Sequence, residues 1–166
     1  MTKPDRILLP LLDFGWCDYD RIALFRSVIT EDVIREYVKS EAFGNPFVHF
    51  SEMSDEYARQ CHGPFLRAKI HEADFELISR QVFKEEIKAI RYLSDFAEVV
   101  PDEKWEPLEK LVERIYNRNS WFFSLRLTEK NKSHFHESGF VLDFFREFIC
   151  ASPNSEFIER LIFGRD

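Results

Sequence analysis

Apolar positions along this chain recur mostly at helical spacing. Ile22, Phe25 and Ile29 share one face if Tyr19–Ile29 is helical. Thr30 can cap a second segment in which Val33, Ile34, Tyr37 and Val38 form a stripe of period 3.6. Glu31 and Asp32 suit its first turn, and Gly44, Asn45 and Pro46 supply the stop. Pro46–Met53 reads as an irregular link, and Ser54 or Asp55 starts a brief helix running to Cys61.

Neither Gly nor Pro occurs from Phe65 to Val100, which predicts one long helix or two with a bend. Ile78, Val82, Ile87, Ile90, Leu93 and Ala97 mark the inner face of its second half. The next helix is the clearest. Trp105, Leu108, Leu111, Val112, Ile115 and Tyr116 point inward, Glu106, Glu109, Lys110, Glu113 and Arg114 outward, and Pro107 is placed in the first turn. Val141, Phe144, Phe145, Phe148 and Ile149 repeat the helical spacing, and Ser155 can cap a last helix carrying Phe157, Ile158, Leu161 and Ile162.

Ser120–Leu127 is the exception. Trp121, Phe123, Leu125 and Leu127 alternate with Phe122, Ser124 and Arg126, as along a strand. A polar turn, TEKNKS, follows, and HFHESGF is a second short strand or the lead-in to a helix. The fold expected is mainly α: residues 1–166 as one domain of packed helices, with room for one short β-hairpin near 120–140.

Composition changes this picture in one respect. Eighteen Phe residues oblige the core to be built largely from flat rings, and those that do not fit inside would make an adhesive surface. The net charge is −7, spread as −2, −3 and −2 over residues 1–50, 51–100 and 101–166. With no concentrated positive field, nucleic acid is not expected as a partner, whereas a basic protein is admitted. Cys17, Cys61 and Cys150 stand far apart and read as buried thiols, not a disulfide framework. The one apolar patch near the N-terminus is interrupted by Pro10 and Asp13, so neither a signal peptide nor a membrane span is expected, and the cytoplasm is the expected compartment.

Candidate chemistry is sparse. On a strand, His134 and His136 of SHFHES would point to one side and could share a metal, but an isolated HxH supplies two of the four ligands a structural zinc wants. In CHG, Cys61 and His62 are adjacent, and a nucleophile and its base rarely meet as chain neighbours. HEADFE places Phe75 where a zinc helix needs its second histidine. Phosphate-cradling and nucleophile-elbow motifs are absent. No cofactor and no catalytic residue is expected.

What remains is an acidic, aromatic-rich, motif-poor chain, a description shared with bacterial immunity proteins that block a cognate toxin, often a basic nuclease. The expectation is a non-enzymatic protein-binding protein that neutralises a partner by steric and electrostatic complementarity. Asp102, Glu103, Glu106, Glu109 and Glu113 form the densest acidic run and the expected face, with Trp121 and Phe122 as aromatic anchors. The alternatives are a small enzyme using the histidines and a helical adaptor module.

Overall fold

The computed structural model describes residues 6–12, 15–24, 29–30, 32–43, 54–92, 99–128, 130–137, 144–153 and 155–165. Outside these lie several positions named above: Phe25, Glu31, the Gly44–Pro46 stop, the Pro46–Met53 link, Leu93, Ala97, Phe140 and Val141.

The organising element is a sheet, and this corrects the expectation of a mainly α fold of packed helices with at most one short hairpin. Strands β1 (Ile7–Pro10), β2 (Gly15–Ala23), β5 (Phe75–Ile78), β6 (Trp121–Leu125), β7 (Phe144–Ala151) and β8 (Phe157–Arg165) form a six-stranded antiparallel sheet in the order β1-β2-β8-β7-β6-β5. A separate two-stranded hairpin joins β3 (Cys61–His62) to β4 (Phe65–Leu66). Helix is confined mainly to α1 (Val33–Lys39), α2 (Asp55–Ala58), α3 (Arg80–Arg91) and α4 (Asp102–Arg118).

Three expected helices are therefore strands, for one reason. The central strands are covered on both faces, so apolar residues occupy consecutive positions instead of alternating. Phe144, Phe148 and Cys150 pack on one side of β7, while Phe145, Ile149 and Ala151 pack on the other. A run apolar on both faces contains i, i+3, i+4 pairs by necessity, so its spacing imitates a helix. The same holds for Phe157–Ile162 in β8 and Tyr19–Ile22 in β2. Where one long helix, or two with a bend, is expected from Phe65 to Val100, the described residues form β4, two short 3₁₀ turns, β5 and α3. Strand β6 fits its alternating pattern, but it pairs with β5 and β7 and not with HFHESGF. Within that segment, Phe135 makes an isolated bridge to Phe65.

Where polar residues reserve an outward face, helical spacing held. Ser79 caps α3 by accepting from Val82 N–H. α4 buries Trp105, Leu108, Leu111, Val112 and Ile115 against the sheet. Because α4 begins at Asp102, Pro107 lies in the second turn, where its ring removes one helical hydrogen bond. α3 and α4 run antiparallel across one face, pinned by Lys84–Glu113 at one end and Arg91–Asp102 at the other. On the opposite face, α1, the β3–β4 hairpin and the 3₁₀ turn Glu41–Phe43 form a second layer. The aromatic surplus fills both layers: Phe83, Phe122 and Phe148 pack on the α3–α4 side, Phe43, Phe65 and Phe145 on the other.

Candidate functional site

Two charged clusters lie inside the molecule, one on each face of the β7–β8 pair. On the α1 side, β7 contributes Glu147, β8 contributes Arg160 and β2 contributes Asp20. Glu147 accepts from Tyr37 Oη at 2.5 Å, and His62 Nε2 lies 2.5 Å from its other oxygen. His62 Nδ1 lies 2.7 Å from the Phe43 carbonyl. Both partners of the imidazole are acceptors, a geometry met by a ring that donates from both nitrogens. Arg160 donates to Tyr37 Oη, the Ala42 carbonyl and Asp20.

Electrostatics follow this arrangement. Burial pushes the Glu147 carboxyl up, but the His62 charge and hydrogen bond, Arg160 and Tyr37 outweigh it and hold the group below its ordinary range. Burial first, and Glu147 beside it, raise the Tyr37 phenol well above its usual value. A Tyr–His–Glu chain has the chemistry of a proton relay, yet Tyr37, His62 and Glu147 are fully buried, and they do not line the clefts beside Arg126, Trp16 or Arg35. What the cluster can do is tie α1, the Glu41–Phe43 turn and β3 to the sheet with fixed register.

On the α3–α4 side, Glu159 is the hub. Tyr19 Oη donates to it at 2.5 Å, Asn119 Nδ2 at 2.5 Å and Arg118 at 3.0 Å, with Arg21 3.7 Å away. This cluster fastens the C-terminal end of α4 to β8 and β2.

These residues escaped sequence reasoning, although a signal was present. FFREFICA and FIERLIFGR each set one or two charges inside a strongly apolar run. A charge flanked on both sides by core residues in a two-faced strand has to be buried, and a buried charge needs a partner.

The expected residues are dispersed. His136 is buried, with Nε2 donating to the Gly63 carbonyl at 3.0 Å, while His134 sits in the 3₁₀ turn Lys132–His134 beside Ser133. No cluster of three or more His, Cys, Asp or Glu side chains suited to a metal occurs among the described residues. Cys61 is buried, its thiol is pushed up by burial, and it faces the Tyr57 carbonyl and not His62. Cys17 and Cys150 are buried too.

Phe122 is 1% exposed, inside the core against Phe83, and so it lies away from the surface, while Trp121 is half-buried at the start of β6. The acidic run on α4 is exposed, and α3 answers part of it. Lys84 pairs with Glu113, Arg91 with Asp102, and Lys110 of α4 itself with Glu106. Among the described residues, Glu103 and Glu109 make no ion pair.

No protein-family model, no curated protein and no solved structure matches this chain. No helix among the described residues is long and apolar enough to cross a membrane.

Proposed function

We propose that this chain is a protein-binding protein that neutralises a basic protein partner, in the manner of a bacterial toxin-immunity protein, from within the cytoplasm. The observation that carries the reading is the outward face of α4. Glu103, Glu106 and Glu109 stand on it, exposed, and no basic side chain of another described element forms an ion pair with any of them. The chain is acidic overall, so the face sits in a negative field that would steer a cationic partner. α4 is held rigidly behind that face by its buried Trp105 stripe and by Glu159 at its end, which favours preorganised docking.

The interior supports the same reading. His62 and Glu147 are wholly buried, with Phe43 stacked on the imidazole and Phe145 edge-on to it. The cleft lined by Glu86, Arg126, Arg146 and Phe144 has a volume of about 190 Å³ and no histidine or cysteine lines it, while a wider one of about 380 Å³ is lined by His71 beside Arg35 and Glu72, which pair with each other.

The test begins with native mass measurement of the protein isolated at its natural expression level. A stoichiometric basic companion is expected, whose own activity falls to background when one equivalent of this protein is added back. A companion whose activity is unchanged by saturating protein would reject neutralisation and favour the adaptor reading.

A further inference from the structure

We infer that strand β5 is a self-pairing edge, through which two copies of this chain join their sheets antiparallel about Leu77. β5 is the last strand of the sheet, and among the described residues one of its sides has no neighbouring strand. Which groups look outward follows from the ladder. Arg126 N–H donates to the Asp74 carbonyl, so positions 74, 76 and 78 face β6, and 75, 77 and 79 face away.

The outward groups are complementary to themselves. Phe75 N–H is already used by the Glu72 carbonyl, and the Ser79 carbonyl by Phe83 N–H. Phe75 C=O, Leu77 N–H, Leu77 C=O and Ser79 N–H have no hydrogen-bond partner among the described residues. A two-fold axis at Leu77 sets Leu77 against Leu77 and Phe75 against Ser79 of the second copy. Each of the four open groups then meets a matching one, giving four hydrogen bonds, and the two groups already engaged are not needed.

Side chains favour the same register. Leu77 is 61% exposed, the end of a row that runs Asp20, Arg160, Ile149, Phe123, Leu77 across one face of the sheet. A second copy continues that row, laying Leu77 on Leu77 and covering the half-buried Phe123. Glu76 falls opposite Ile78 of the second copy. Shifting the axis to residue 76 would set Glu76 against Glu76, a like-charge clash. Pro and Lys, the usual edge protectors, are absent from β5, whereas the opposite edge strand β1 ends in Pro10. Four-residue strands bury little area, so the dimer is a weak one that forms with rising concentration.

Sedimentation of the whole chain from low micromolar to several hundred micromolar tests this. Reversible dimerisation is expected, abolished by Leu77→Lys with an unchanged melting temperature. Because the natural cysteines Cys17, Cys61 and Cys150 are buried, Leu77→Cys should form a covalent dimer on mild oxidation. If Leu77→Lys does not fold, the cysteine variant decides alone. A wild-type chain monomeric throughout, a dimer untouched by Leu77→Lys, or no crosslink through residue 77 would each overturn the inference.

Discussion

His62 Nε2 lies 2.5 Å from a carboxylate oxygen of Glu147, and both side chains are wholly buried between α1 and the sheet. One comes from a two-residue strand and the other from the middle of β7, so the contact fixes the hairpin layer on the sheet.

Removing the Glu147 charge should therefore be costly. Glu147→Gln keeps the shape but leaves Arg160 and His62 short of a counter-charge, and a loss of about 3–5 kcal/mol is expected at neutral pH. The Glu147 carboxyl is held below its ordinary range in the folded chain. Its stabilisation is present above the unfolded value and lost as pH falls through the folded one. Urea titrations of both proteins should diverge at pH 7 and converge in acid. A constant gap down to pH 2 would mean the charge contributes nothing.

Asp18 should behave in the opposite sense. Burial raises its carboxyl to about 6, against the lowering effect of Arg6 and Arg160, and one of its oxygens has no hydrogen-bond partner. A raised folded value gives stability that is complete below the unfolded value and lost as pH rises through the folded one. Asp18→Asn should stabilise the protein at pH 7.5 by about 1–3 kcal/mol and have little effect near pH 3.5. A destabilised variant at pH 7.5 would show that the Arg6 pair outweighs burial.

Gly63 has φ of +54°, and a Cβ there would run into the Phe145 ring. Gly63→Ala should cost at least about 2 kcal/mol, with strain and overpacking both contributing. Phe145→Leu in the same background should return part of it, by giving the ring's space back. Strict additivity of the two substitutions in thermal melts would show that the ring is not what excludes a side chain.

Trp105 is 4% exposed, with Arg91 stacked 5.6 Å from its ring. Trp105→Ala should lower stability by about 3–5 kcal/mol and release α4 from the sheet. Amide exchange in α4 should then accelerate more than in α1. A uniform acceleration would mean that α4 unfolds only with the whole chain.

Reversing Glu103, Glu106 and Glu109 to Lys should slow association with a basic partner by tenfold or more and flatten its salt dependence, while the melting temperature stays within a few degrees. Association rates insensitive to the reversal would move the partner site away from α4.

Local pattern was legible where one face of an element meets water. α4 shows it best, because Glu106, Glu109 and Glu113 interrupt the apolar positions once per turn and leave a helix as the sole period that separates the two faces. β6 was legible through the alternation of Trp121, Phe123 and Leu125 with Phe122 and Ser124. In β2, β7 and β8 both faces are buried, so no polar face was left to mark the period.

From the residues alone follow the aromatic surplus, the evenly spread acidic charge, three cysteines spaced unlike a disulfide framework and one strongly amphipathic helix at α4. These depend on composition and on residues within a few turns of one another. Only the tertiary structure decided that Glu147 meets His62 across 85 positions and that Glu159 meets Tyr19 across 140. It alone decided that β5, not β6, ends the sheet. Strand order and buried charge pairing are set by which distant segments exclude water together, and no local spacing encodes that choice.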